Sequence, residues 1–260
     1  MKLSSEEKLM YQVMKAIYES GIPVSFKGSM VLKACLMEAG FTEDVRHTVD
    51  IDANWNTDNS PSADHMVESI QHALTKSGID LKLHLYRMYG EGRSAGFELT
   101  DPVTGDVLFT MDVDVNRPVP QIQMYEIADV RFLGASPVQM IADKLSAIST
   151  DKVFRRIKDV VDLYYISKAF VFDRDAVIQT LENSRKTLGT FDGFLHRSKE
   201  LKHAYEKAKQ NIILAFPFRK QETQKNTGRE NRPAFFCVSG DPASRLRFQA
   251  FHEGRTGAEV

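Results

Sequence analysis

Asp50 and Asp52 stand two residues apart in a stretch, Thr48 to Trp55, that alternates apolar and polar side chains: Val49, Ile51, Ala53 and Trp55 against Thr48, Asp50, Asp52 and Asn54. A period of two is the mark of a half-buried strand, so both carboxylates point to one face. At about 3.3 Å of rise per residue they lie roughly 7 Å apart, a spacing at which oxygen ligands can share hard divalent cations bridged by substrate phosphates. Upstream, Gly28-Ser29 opens the segment Met30 to Ala39, which reads as a helix, after a short strand from Pro23 to Phe26. Backbone N–H groups at a helix N-terminus favour an anion, and glycine lets a phosphate come close. Together these residue types support transfer chemistry on a triphosphate held with magnesium. Each half alone is commonplace, since Gly-Ser before a helix is usually a turn and cap, and Asp-x-Asp on a strand is often a solvated edge. Their order and distance carry the reading.

Other residues can complete such a site. From Asp106 to Val115, Phe109, Met111, Val113 and Val115 face one way while Thr110, Asp112, Asp114 and Asn116 face the other. Two-metal phosphoryl chemistry draws a third carboxylate from a neighbouring strand, and either Asp112 or Asp114 can supply it. The alternative is that both line the exposed side of an antiparallel sheet. Further on, Ser136 as cap, Pro137 in the first helical position and Gln139 start a helix through Ser149 that contains Lys144. A second helix, Val153 to Ala169, carries Asp159 and Asp162, three residues apart and therefore on one face. If the two helices pack antiparallel, Lys144 meets both acids, and a lysine so placed contacts phosphate as a point charge. The seven histidines are scattered singly and form no Ser-His-Asp arrangement, which removes a hydrolase triad from consideration.

The elements that must hold these residues follow from capping and periodicity. A helix from Ser5 to Ser20 begins with a Ser4-x-x-Glu7 capping box and carries Met10, Val13, Met14 and Ile17 on one face. Another, Asp64 to Ser77, carries Met66, Val67, Ile70 and Leu74 and ends at Gly78. Leu81, Leu83 and Leu85 alternate in a strand, and Ala95 to Thr100 pairs with Asp106 to Val115 in a hairpin around Asp101-Pro102-Val103-Thr104-Gly105. From Ser136 on the pattern is helical. The expected fold is α+β, a mixed sheet with flanking helices over residues 1–134, a helical half completing the site over 135–218, and a flexible extension over 219–260.

With 260 residues, 42% hydrophobic content and a formal charge of −1, the chain can bury one large core or two smaller ones. No apolar run reaches the length of a membrane span, and the N-terminal residues lack the apolar core of a signal peptide, so a cytoplasmic location is expected. Cys35 and Cys237 give neither a zinc spacing nor a disulfide framework. Charge divides along the chain: residues 1–120 hold 11 Lys+Arg against 18 Asp+Glu, whereas residues 121–220 hold 17 against 12. An acidic, metal-binding half joined to a basic helical half suits action on a polyanion such as RNA, although a solvated helical surface gives the same count.

Lys27-Gly28-Ser29, Arg46-x-Thr48-x-Asp50-Ile51-Asp52, Ala142-Asp143-Lys144-Leu145 and Arg156-Ile157-Lys158-Asp159-Val160-Val161-Asp162-Leu163-Tyr164, in that order, resemble the AbiEii/AbiGii nucleotidyltransferase toxins. These are the toxin halves of type IV toxin–antitoxin and abortive-infection systems and are similar to the MenT toxins, which act on tRNA 3′ ends. The resemblance implies a nucleotidyltransferase-like fold, an NTP co-substrate, Mg²⁺, a tRNA or other RNA or a protein hydroxyl as acceptor, and a cognate antitoxin. It also implies that Gly28 and Ser29 bind triphosphate, Asp50 and Asp52 carry the metal, Lys144 contacts nucleotide phosphates, and Asp159 is a second essential acid, with Asp162 in the same motif. Many relatives carry Gly-Gly where this chain has Lys27-Gly28. Two other readings share the scaffold: a nucleotide-binding module without turnover, and a transferase whose acceptor is a small molecule.

Overall fold

The computed structural model describes residues 1–57, 61–89, 94–115, 119, 121–150, 156–192, 196 and 198–209. The expected extension, 219–260, lies outside them. In chain order the elements are α1 (Ser5–Glu19), β1 (Val24–Lys27), α2 (Gly28–Glu38), β2 (Asp50–Trp55), α3 (Ala63–Lys76), β3 (Lys82–Tyr89), β4 (Ser94–Thr100), β5 (Val107–Val115), β6 (Ile122–Ile127), β7 (Val130–Ala135), α4 (Pro137–Ile148), α5 (Ile157–Ala169), α6 (Arg174–Asn183) and α7 (Ser198–Lys209).

The helix starts obey the local chemistry. Ser4 accepts from the Glu7 backbone N–H at 3.1 Å while the Glu7 carboxylate accepts from the Ser4 N–H at 2.9 Å, which closes the capping box of α1. Ser136 caps α4 ahead of Pro137, and Ser62 caps α3. α5 begins at Ile157; the expected start at Val153 falls outside the described residues.

The seven strands form one mixed sheet in the order β3-β4-β5-β2-β1-β7-β6. β2 runs parallel to β5 and β1 parallel to β7, and the remaining neighbours are antiparallel. β6 and β7 occupy a stretch to which the sequence pattern assigns no element. β6 is an edge strand whose Ile122 and Met124 are 42% and 38% exposed, so its alternation lacks a clean apolar face. Val49 departs from its expected place as well: β2 starts at Asp50, and Val49 is 69% exposed.

One face of the sheet is apolar and carries helices. Phe26, Ile51, Ala53, Phe97, Met111, Val113 and Phe132 are fully buried there. α1 packs on β7 and α3, α2 packs on β1, β2 and β6, and Phe132 gathers the rings of Tyr11, Phe26 and Tyr125. The register puts Lys27, Asp52, Asp112 and Gly96 side by side on the opposite, polar face. α4 packs on α5 and α6 and, with α5, reaches α2, so the helical half comes to the strand ends where α2 begins.

A buried ion pair lies under α2: the Lys33 ammonium meets the Glu7 carboxylate at 2.5 Å with both side chains almost wholly inaccessible. Lys33→Met leaves the Glu7 charge buried without its partner and is expected to cost about 3–5 kcal/mol. The double variant Glu7→Leu with Lys33→Met recovers part of that loss, since two packed apolar groups replace the pair while the capping box and the His47 contact to Glu7 are lost with it. Urea midpoints at unchanged m-value check both.

Candidate active site

Gly28 begins α2 with φ +72, a conformation glycine adopts freely and other residues adopt rarely. A Cβ built there would sit 2.1 Å from Asp52 Oδ2, so only the absence of a side chain lets the helix start lie against the carboxylate. Ser29 donates from Oγ to Thr48 Oγ1 at 2.6 Å, and Thr48 Oγ1 lies 2.7 Å from Asp50 Oδ1. A run of hydroxyls therefore ties the helix N-terminus to the first carboxylate of the strand. Gly28→Ala is expected to lower any transfer activity at least about 100-fold by displacing Asp52 or the helix start, the scale of a roughly 1 Å misplacement. The left-handed strain adds about 1–2 kcal/mol of destabilisation. Turnover and melting measured on the same protein check the two effects separately.

Asp50 and Asp52 share the polar face of β2, and Asp112 of β5 stands directly opposite Asp52. Burial, then Asp50, push the Asp52 carboxyl up to about 6, with Asp112 adding to the rise and Lys27 and Lys144 opposing it. Asp114 lies one step further along β5, opposite Asn54, and is held by the Lys27 ammonium and the Ser94 hydroxyl. Lys27, the residue that departs from the Gly-Gly pattern, is therefore the cation of the Asp114 pair. Asp112 is engaged by Arg87 Nη2 at 2.9 and 3.1 Å.

Lys144 and the acidic pair of α5 do meet. The Lys144 ammonium donates to Asp162 Oδ2 at 2.7 Å and to Asp159 Oδ1 at 3.3 Å. Arg46 completes the cluster with a bidentate grip on Asp162 at 2.8 and 3.0 Å. Burial drives the Asp162 pKa up, but Lys144 and Arg46 override it and bring it down to about 2. Burial likewise opposes charge on Lys144, and Asp162 and Asp159 more than offset it, leaving its pKa raised. The motif residues Arg46 and Thr48 carry no role in the sequence reading beyond their place in the pattern. Arg46 meets Asp162 across 116 residues and Thr48 meets Ser29 across 19, pairings that spacing does not encode. Arg87 and Gly96 give no sequence signal of this kind.

The donor set fits a hard cation. Asp50 and Asp52 offer carboxylate oxygens on one face, and Gly28 leaves open the approach that a triphosphate needs. Among the described residues no group of three or more His, Cys, Asp or Glu side chains is assembled at metal-binding distances. A cation here would draw its remaining oxygens from phosphate and water.

A helix N-terminus pressed against a paired-carboxylate strand in a mixed sheet, with a buried lysine beside it, is the frame of a nucleotidyltransferase. A family model described as "Nucleotidyl transferase AbiEii toxin, Type IV TA system" matches residues 12–252, and the chain belongs to that family. Among solved structures it is similar to MenT4, a nucleotidyltransferase toxin from Mycobacterium tuberculosis H37Rv, at 15% identity and a TM-score of 0.48 over 74% of this chain and 70% of that one. It is also similar to an antigenic nucleotidyltransferase-like protein from Paracoccidioides brasiliensis, at 17% identity and a TM-score of 0.44 over 80% and 90%. No curated protein sequence matches the chain. No helix among the described residues is long and apolar enough to cross a membrane.

Proposed function

We propose that the protein transfers a nucleoside monophosphate from an NTP to an RNA hydroxyl, with the 3′ end of a tRNA as the favoured acceptor, and releases pyrophosphate. The observation that supports it best is the 2.1 Å approach that a Cβ at Gly28 would make to Asp52: a helix N-terminus without a side chain, set against a carboxylate, suits a triphosphate and its cation. Family membership supplies the reaction class. The basic balance of residues 121–220 favours a polyanionic acceptor over a small molecule or a protein hydroxyl.

In this reading Gly28 and Ser29 receive the triphosphate on the first N–H groups of α2, and Asp50 and Asp52 hold Mg²⁺, with Asp112 rather than Asp114 as the third carboxylate. When bound, the cation neutralises charge on the phosphates and on the departing pyrophosphate. Lys144, fixed by Asp162 and Asp159, presents a positive charge to the nucleotide phosphates, and Arg46 keeps Asp162 in place. Asp50 and Asp52 also bring the acceptor hydroxyl and the α-phosphorus into line, since phosphoryl transfer depends on positioning and electrostatics. Residues 1–134 carry the carboxylates and residues 135–218 the lysine, so the two proposed segments work as one site. The enzyme acts in the cytoplasm, where a cognate antitoxin restrains it.

Incubation of the protein with Mg²⁺, each α-labelled NTP in turn and total tRNA tests the proposal, with cell protein as a second acceptor pool. Label entering tRNA in an EDTA-sensitive manner is the expected result. Label in protein alone overturns the acceptor, and label in neither overturns the transferase reading.

A further inference from the structure

We propose that Tyr86 and Arg87 form the acceptor subsite, a platform that stacks a base of the RNA strand and holds its adjoining phosphate; the inference rests on the transferase reading above. A β-bulge builds the platform. Pairing of β3 with β4 slips between Leu85, opposite Phe97, and Arg87, opposite Gly96, leaving Tyr86 as the extra residue. Such bulges re-aim side chains, and this one brings Tyr86 and Arg87 together over Gly96. A Cβ at Gly96 would meet Tyr86 Cε1 at 2.7 Å, Arg87 Cγ at 2.8 Å and Arg87 Nε at 2.9 Å. The glycine is therefore a trench in which the arginine stem crosses β4 to reach Asp112 on β5. The Arg87 guanidinium lies 4.9 Å from the centre of the Tyr86 ring. Tyr86 is 40% exposed and the Arg87 side chain 50%, so both face water on the polar side of the sheet.

Position selects the acceptor over the donor. Across the polar face the order runs from Gly28 and Lys27, through Asp52 and Asp112, to Gly96 and the Tyr86–Arg87 pair. In-line displacement requires the attacking hydroxyl to enter opposite the departing pyrophosphate. With the triphosphate at Gly28, the opposite side is the β4–β3 side, where Tyr86 and Arg87 stand. An exposed aromatic ring next to an arginine is the usual means of holding a single-stranded base and its phosphate.

The test uses the full chain, an α-labelled NTP and tRNA, with Tyr86→Ala, Arg87→Ala and Tyr86→Trp variants. Binding of a single-stranded RNA hexamer is followed alongside by the indole emission that Tyr86→Trp adds to that of Trp55, the chain's own single tryptophan. Tyr86→Ala is expected to raise KM for tRNA by about 5- to 150-fold, the range that one stacked base provides, and Tyr86→Trp to restore it, while KM for the NTP stays within about twofold. The hexamer quenches the added emission and the NTP alone does not. An unchanged KM for tRNA in Tyr86→Ala and Arg87→Ala, with transfer intact, overturns the subsite and leaves the transferase reading standing. Quenching by NTP alone moves the platform to the donor base and overturns it equally. Absence of transfer to tRNA in the unaltered protein removes the reading beneath it.

Discussion

Asp52→Asn is expected to abolish nucleotidyl transfer, by at least about 1000-fold, and to make the protein more stable. On the mechanism proposed above, the first effect follows from the several kcal/mol that cation-mediated charge stabilisation contributes to a phosphoryl transition state, which the amide would not support. The second follows from the environment of the carboxyl: burial and the neighbouring Asp50 raise its pKa from 3.8 to about 6, so the ionised group opposes folding at neutral pH. At about 1.4 kcal/mol per pH unit, and discounted for the water that still reaches this half-buried group, removing the charge contributes roughly 1–2 kcal/mol. Labelled transfer and thermal melting at pH 7.5, each without and with Mg²⁺, check the pair. The unaltered protein is expected to gain stability from Mg²⁺ and the variant much less. A variant that loses activity and also melts lower would show that Asp52 is held by its surroundings rather than strained by them.

Asp162→Ala is expected to cost about 3–5 kcal/mol of stability, because it strips the buried Arg46 guanidinium of its bidentate partner and leaves Lys144 only the longer bond to Asp159. The Lys144 and Arg46 side chains are about a tenth exposed, and each directs its shortest hydrogen bond to Asp162. The same pairing sets an acid response. The Asp162 pKa lies at about 2 in the folded protein against an ordinary 3.8, so its contribution is complete above about pH 4–5 and disappears as pH falls through 2. Denaturant unfolding between pH 6 and 2 should show this loss in the unaltered protein and a correspondingly flatter profile in Asp162→Ala. Replacing Lys144, Arg46 and Asp162 together by Met, Met and Leu is expected to restore much of the stability and none of the transfer, which separates the structural from the proposed catalytic use of the cluster.

What was legible in the sequence was legible for local reasons. Ser4-x-x-Glu7 and Ser136-Pro137 name helix starts because capping is satisfied within one turn, and α1 and α4 begin where those signals stand. The alternation in 48–55 and 106–115 fixes which way each carboxylate faces, because side chains on a strand can point only to one side or the other. Those patterns reach the ends of the elements and stop there. Val49 continues the alternation in sequence, yet it lies just before β2 and its side chain is exposed. β6 escapes the pattern because an edge strand exposes residues that a central strand would bury.

The sequence by itself determined the chemical vocabulary of this protein: a glycine where a helix begins, paired carboxylates on a strand face, a lysine and two acids on successive helices, and an order of motifs that marks the family. Tertiary structure alone decided which members of that vocabulary meet. Parallel pairing of β2 with β5 sets Asp112 opposite Asp52 and Asp114 opposite Asn54, a choice between equals that depends on register and not on side-chain order. Arg46 joins Asp162 across 116 residues, and Arg87 reaches Asp112 only because a bulge and a glycine in the β3–β4 pair open its path. Periodicity is a property of one segment, whereas a site is a property of several brought together, and the burial that joins them is non-directional and writes no spacing into the chain.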